Sequence, residues 1–327
     1  MDWRAHAGGR GQPDAGAPLQ RHRFDSMGTW VECLVEAPSS PALDAAFAHV
    51  EHEFARLERK LSRFRADSEL SRLNRERAIE GSDELLELTT LALAARERTG
   101  GRFDPTVHDA LMAAGYDRTF ADLCDETRTP APVPRVSSDS QTEHVSPAPP
   151  REQGLAGGGR EVLVGGRRIE LGPGASLDFG GIAKGYAADR CVARLAELGP
   201  ALVNAGGDLA VSGPRADGPW PVAVDVPGES LAVGISHGGL ATTGRDRRRW
   251  IRDREERHHL IDPRTLRPAE GGPLSVTVTA PTATEAEITA KSLFLAGPNA
   301  EREARLAGTA AVLVRDRGEY ELLGLAA

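Results

Sequence analysis

The chain has 327 residues, with 48 acidic and 40 basic side chains and a formal charge of −8, a balance that argues against non-specific nucleic-acid binding. Hydrophobic residues make up 40%, enough for a proper core, but aromatics only 5%, so aliphatic residues and alanine must fill most of it. Neither figure excludes a local basic pocket for a phosphorylated ligand.

Residues 1–21 are rich in glycine and proline, lack periodicity, and are expected to be disordered. They hold no apolar signal-peptide core, and no stretch elsewhere approaches ~18 apolar residues. The chain is therefore expected to be soluble and cytoplasmic, without membrane insertion. Cys33, Cys124 and Cys191 form no CxxC pair, which suggests neither a zinc site nor a disulfide framework.

Thr29–Val35 reads as a strand. Residues 42–64 then predict a helix, because Leu43, Phe47, Val50, Phe54, Leu57, Leu61 and Phe64 recur at steps of three and four. His49 and His52 fall on its polar side and read as solvated residues. A second helix is predicted over Asp83–Arg98, with Ser82 as its cap and Gly100 as its stop. Residues 126–159 turn rich in Thr, Pro, Ser and Gln and read as a flexible insertion within one domain spanning 22–327, with His144 idle inside it. Short strands follow at Glu161–Val164, Ala201–Val203, Val222–Val226 and Ser275–Thr279, then a terminal hairpin over 310–315 and 319–323. Helices alternate with these strands too irregularly for a doubly wound sheet, so the expected class is α+β.

Three segments carry candidate chemistry. Asp178-Phe-Gly-Gly-Ile-Ala-Lys-Gly-Tyr-Ala-Ala-Asp189 places Gly180 and Gly181 where a helix should begin, with Lys184 one turn inside. Glycines there let a backbone approach a phosphate, and a helix start offers free N–H groups. By itself the signal is weak, because a Gly-Gly pair before a helix is often just a tight turn, and neither GxGxxG nor a Walker loop is present. Asn204-Ala-Gly-Gly-Asp208 reads, taken alone, as a strand-ending turn. In the third segment, Leu240–Gly244 precedes His258-His-Leu-Ile-Asp-Pro263. An extended backbone sends His258 and His259 to opposite sides, so only one can face a given pocket. A histidine there is able to take a proton from a hydroxyl near neutral pH, and Asp262 to charge-pair in the same loop. Asp-Pro also simply starts a turn, and this segment does not decide between the two.

Together these pieces resemble the ApbE-type FAD:protein FMN transferases. Met27-Gly-Thr29, Leu61-Ser-Arg-Phe64 with Asp67-Ser-Glu-Leu70 and Asn74, and Gly100-Gly-Arg-Phe-Asp-Pro-Thr106 are similar to the early motifs of that family. The segments at 178–189, 204–208, 240–244 and 259–263 are similar to the later ones, in the same order. The resemblance covers about residues 24–323, apart from the insertion. It implies a single two-lobed α+β domain with mixed or antiparallel sheets and flanking helices. It also implies an activity: cleavage of FAD at its pyrophosphate, release of AMP, and attachment of FMN through a phosphoester to Ser or Thr of a target protein, assisted by Mg2+. Carried over by motif, the FAD contacts are Met27, Phe64, Arg102, Phe103, Asp104, Asp178, Lys184 and Leu260. His259 is the histidine implied near the accepting hydroxyl, with Asp262 as its candidate partner. The implied metal groups are a backbone oxygen of Gly181 and side chains of a later helix, among them Thr284 and Glu287.

That later helix departs from the family pattern, which places Asp and Thr four apart before a Leu-Phe run. Aligned without gaps on Leu293-Phe294, the two positions are Glu287 and Lys291. A protonated lysine has no lone pair to donate, and two consequences stay open: magnesium still binds, more weakly, through Glu287 and carbonyls, or the Lys291 ammonium, not a ligand, substitutes for part of the missing charge. Shifting the frame by two gives Glu285 and Thr289, at the cost of the Leu-Phe match. Phe64 stands where tyrosine is common, Thr243 where serine is common, and Leu266 where glycine often ends the turn. Two other readings stay open: an FAD pyrophosphatase giving FMN and AMP, and a non-catalytic flavin-binding protein of the same fold.

Overall fold

The computed structural model describes residues 17–123, 160–252 and 255–324. The sheet that organises them has eight strands, and their spatial order is the order of the chain. They are β1 (Leu19–Ser26), β2 (Thr29–Glu36), β3 (Ala201–Ala205), β4 (Asp208–Ser212), β5 (Gly238–Gly244), β6 (Ser275–Ala280), β7 (Ala311–Val314) and β8 (Tyr320–Leu323). All of their pairings are antiparallel, which narrows the mixed-or-antiparallel expectation to antiparallel. The expected α+β class is the observed one.

Period-two alternation gives the sheet two apolar faces. On one, Val31, Cys33, Val35, Val203 and Ala205 meet the helices in the largest core cluster. On the other, Leu202, Leu209, Val211, Leu240, Val312 and Val314 pack on a hairpin of Trp220–Val226 and Glu229–Ile235.

The helices α1 (Pro41–Leu61), α2 (Glu69–Glu76), α3 (Asp83–Arg98), α4 (His108–Ala114) and α5 (Ala183–Leu195) lie in the long excursion between β2 and β3. Two more, α6 (Ala283–Leu295) and α7 (Ala300–Ala307), connect β6 to β7. Ser40 caps α1, its hydroxyl accepting from Leu43 N–H at 3.2 Å, and Pro41 suits the first turn. The apolar stripe of α1 is buried from Leu43 to Leu61, each large side chain contributing on the order of 1.5–3 kcal/mol. The helix stops at Leu61 and not at Phe64: Ser62 is extended, and the turn releases Arg63 and Phe64 from the helical stripe. Ser82 occupies the cap position of α3, but its hydroxyl makes no capping bond.

Strand β1 begins at Leu19, inside the segment expected to be disordered; residues 1–16 lie outside the described residues. It is polar and half exposed along its length, so pairing with β2 rather than hydrophobicity makes it a strand. The insertion expected at 126–159, with His144, and Cys124 also lie outside the described residues. No described helix is long and apolar enough to cross a membrane.

Candidate active site

A cleft opens beside the β1–β2 turn, bounded by the end of α1, the turn after α3, the starts of α4 and α5, the middle of α6 and the segment 259–263. Met27, Phe64, Arg102, Phe103, Asp104, Asp178, Gly181, Lys184, His259, Leu260 and Lys291 all line it. Six cationic side chains and three carboxylates face the wall: Arg63, Arg65, Arg102, Lys184, Arg248 and Lys291 against Glu58, Asp104 and Asp178. Arg63, Arg102 and Lys184 are paired with carboxylates, and the remaining cations between low-dielectric walls attract an anion.

Close approach of two helices sets the floor. A Cβ on Gly185 would lie 2.8 Å from the backbone of Ala283 and Thr284, so only glycine lets α5 cross the start of α6 there. The crossing brings Glu287 under the first turn of α5. Its carboxylate accepts Gly185 N–H at 3.0 Å and Lys184 Nζ at 2.9 Å. Lys184 also pairs with Asp208 at 2.7 Å. Asp208 arrives from the β3–β4 turn, where Gly206 (φ 66°) and Gly207 (φ 106°) adopt the left-handed conformations of a tight hairpin. Burial opposes the charge of Lys184, but Asp208 and Glu287 outweigh it and raise its pKa. Burial pushes the Asp208 carboxyl up, Lys184 offsetting part of the rise.

Lys291 lies one turn beyond Glu287 on α6. A Cβ on Gly181 would fall on Lys291 Nζ itself, so the ammonium is seated over that glycine. It lies 6.0 Å from the centre of the Phe103 ring and makes no hydrogen bond or ion pair among the described residues. Burial lowers its pKa, Glu287 opposing the shift and Lys184 adding to it.

These donors do not fit magnesium, which prefers six oxygens in near-octahedral array. Both oxygens of Glu287 are bound to Lys184 and Gly185, and Asp208 is held by Lys184. Thr284 Oγ1 donates to Asp189 at 2.6 Å, and Asp189 also accepts the N–H groups of Ala283 and Thr284. Thr284 is thus part of the α6 cap, not the ligand the resemblance implied. The second expected ligand position carries the Lys291 ammonium. Among the described residues no group of three or more His, Cys, Asp and Glu could hold a metal ion. The shifted frame fails on placement, since neither Glu285, which pairs with Arg98, nor Thr289 lines the cleft.

The histidines divide as an extended backbone requires. His258 Nε2 lies 2.9 Å from Ala269 O and the ring packs edge-on against Phe294, while His259 faces the cleft. His259 Nδ1 lies 3.3 Å from Arg248 O, with Tyr116 edge-on to the ring. A carbonyl only accepts, so Nδ1 carries the proton and the lone pair sits on Nε2. Burial lowers the His259 pKa well below its ordinary value, and Arg248 and Lys291 push the same way. The imidazole is therefore neutral near pH 7 and able to accept a proton.

The opposite wall is built on Arg63, almost fully buried. Its Nε lies 2.7 Å from Asp178 and its Nη1 donates to Tyr116 O at 2.6 Å. The guanidinium stacks 4.0 Å from the Phe64 ring and 4.5 Å from Tyr116. Phe64 itself remains 41% exposed, leaving an aromatic face for a planar ligand. Met27 sits at φ 53°, a conformation costly for a side chain of its size, held by Glu58 accepting its N–H at 3.0 Å.

Other expected residues are placed differently. Asp262 does not line the cleft; it accepts Arg264 N–H at 2.9 Å, pairs with the Arg264 guanidinium at 2.7 Å and shapes the 262–266 turn. That turn ends on Leu266 at φ 56°, which explains why glycine suits the position. The Asp104 carboxylate is taken up by Thr106, Arg96 and Arg160. Arg102 pairs with Glu303 at 2.6 Å. Arg63, Tyr116 and Arg248 received no role from the sequence, and Asp208 was placed in a motif similar to the family's without the ion pair it makes. Arg63 stood inside a recognised motif; nothing in the local sequence marked Tyr116 or Arg248.

Fold and cleft together define an α+β protein with an anion-attracting cleft and a neutral histidine on its wall. The model of the ApbE family matches residues 27–313, and the chain belongs to that family. It is similar to the FAD:protein FMN transferase of Salmonella typhimurium, 30% identical over 271 residues that cover 79% of this chain and 73% of that protein. The FAD:protein FMN transferase of Klebsiella pneumoniae is 29% identical over 309 residues, 90% of this chain and 83% of the relative. The crystal structure of the ApbE protein from Thermotoga maritima matches with a TM-score of 0.74 at 26% identity, covering 94% of this chain and 97% of that one.

Proposed function

We propose that the chain is an FAD:protein FMN transferase, with FAD as substrate and a Ser or Thr hydroxyl of a target protein as acceptor. The observation that carries this reading is the sharing of one cleft by the neutral His259 and the cations over the 178–185 turn. Phe64 and Tyr116 offer aromatic surface to a ring of the dinucleotide, and Met27, Phe103 and Leu260 supply apolar wall. Lys184, Lys291 and the turn at Gly180–Gly181 are disposed for the diphosphate.

In the transfer, the acceptor oxygen attacks the FMN phosphorus and its proton passes to His259 Nε2. The new O–P bond replaces the bond to AMP, whose phosphate oxygen leaves with the electron pair. Charge grows on the bridging and equatorial oxygens, and the cationic wall stabilises it. His259, with Nδ1 fixed on Arg248 O, is the catalytic base; Asp262, held by Arg264, is a turn residue and takes no part. Magnesium, implied by the family, finds no oxygen set among the described residues, and the charge falls to the cationic wall.

Incubation of the protein with FAD and a panel of Ser- and Thr-containing peptides tests this. AMP release matched by a flavin-fluorescent peptide is the expected result. AMP with free FMN points to a pyrophosphatase, and FAD binding without AMP to a non-catalytic carrier; either sinks the transferase reading.

A further inference from the structure

We propose that Lys291 supplies from the protein the positive charge that faces the FAD diphosphate, so that this chain binds and cleaves FAD without a divalent ion. The inference rests on the FAD reading above and extends it to the identity of the charge-stabilising group.

Three independent observations carry it. The ammonium has a built seat: it occupies the space over Gly181 that any side chain there would fill. It has no protein acceptor, although a cation in a part-buried cleft needs one. The carboxylates that might have neutralised it are engaged elsewhere, Glu287 and Asp208 by Lys184 and Asp178 by Arg63. An unpaired cation set in the wall beside a second lysine is complementary to an anion, and a diphosphate is the anion this cleft is shaped to take. The same three facts disfavour an added ion. A divalent cation beside Lys291 would meet that like charge, while the nearby carboxylates Glu287 and Asp208 are already bound to Lys184. Magnesium also sheds its water reluctantly, whereas a tethered ammonium is already in place.

In the reaction, Lys291 forms no covalent bond. It offers hydrogen-bond donors to phosphoryl oxygens while the acceptor O–P bond forms and the bond to AMP breaks, and the acceptor's proton still goes to His259.

The test is FAD affinity, followed by flavin fluorescence, for the wild-type protein, Lys291→Met and Lys291→Arg. Each is titrated in EDTA and in millimolar magnesium, and riboflavin serves as a probe without phosphate. Wild-type affinity for FAD is expected to be the same in both buffers. Lys291→Met should weaken FAD at least about tenfold in EDTA while leaving riboflavin unchanged, and Lys291→Arg should restore most of the loss. The proposal is overturned if magnesium tightens wild-type FAD binding about tenfold or more. Equal FAD affinity in Lys291→Met overturns it too, as does a parallel loss of riboflavin, which would mark Lys291 as merely structural. Wild-type protein that binds neither FAD nor riboflavin defeats the FAD reading itself, an outcome distinct from the others.

Discussion

Replacing Glu287 with alanine removes a carboxylate that is 4% exposed and accepts two hydrogen bonds, from Lys184 Nζ and Gly185 N–H. Lys184 keeps Asp208 but loses one of two compensating charges inside the protein. Because Lys184 still has a carboxylate partner, the loss is that of one charge-assisted hydrogen bond, ~1.5–3 kcal/mol, and not that of a charge left unpaired. The orphaned Gly185 N–H alone accounts for ~1–3 kcal/mol, and the two overlap because both groups share one partner. We therefore expect Glu287→Ala to lose ~2–4 kcal/mol in urea unfolding, seen as a lower midpoint at unchanged slope. Replacing Glu287, Lys184 and Asp208 together with apolar residues should recover part of that loss, since no buried charge is then left without its partner. Measurements in EDTA and in magnesium should agree. A loss below ~1 kcal/mol, the range of a solvated surface pair, would refute the reasoning. So would a loss appearing only with magnesium present, because Glu287 would then be acting as a metal ligand.

Two further predictions concern the cleft. Gly181→Ala puts a methyl group where Lys291 Nζ now sits, so FAD affinity should fall about tenfold with little change in the unfolding midpoint; unchanged affinity by fluorescence titration argues against the seat. His259→Ala should slow AMP release at least ~10²-fold with FAD affinity preserved. The pH profile of the wild type checks the same residue. Burial, Arg248 and Lys291, with His258 adjacent, keep His259 neutral below its ordinary value of about 6.5, and Tyr116 closes its other side. The acid limb of AMP release should therefore lie below pH ~6.5, and a limb at or above it contradicts the assignment. Stability has the matching sign: the unfolded chain protonates this histidine first, so its contribution is lost as pH falls from about 6.5.

Helices α1 and α3 were legible because their signals are local, whereas the short α2, α4 and α7 were not read from the sequence. The stripe from Leu43 to Leu61 and the stop at Gly100 need no partner to be read. Strands were legible where one face is apolar, as in 222–226, and invisible where pairing alone holds them. β1 is polar along most of its length, and β5 begins with two glycines, Gly238 against the end of β6 and Gly239 against the start of α6. The cleft shows the same division. His259 and Lys184 announce themselves through motif order. The engagement of Glu287 with Lys184, of Thr284 with Asp189 and of Asp262 with Arg264 depends on which helices cross and which turns close, and no spacing rule encodes it. Lys291 is the instructive case: the sequence marked it as a departure, and only the packing of α6 against the 178–181 turn gave the departure a place to act.

If one cleft holds the diphosphate of FAD between the Lys184–Lys291 floor and His259, a crystal structure of the protein soaked with FAD in EDTA will show it. Phosphoryl oxygens are expected within hydrogen-bond distance of Lys291 Nζ, with His259 Nε2 turned toward the phosphorus that carries FMN. Diphosphate density on another surface, or His259 walled off from it by protein, would rule this arrangement out.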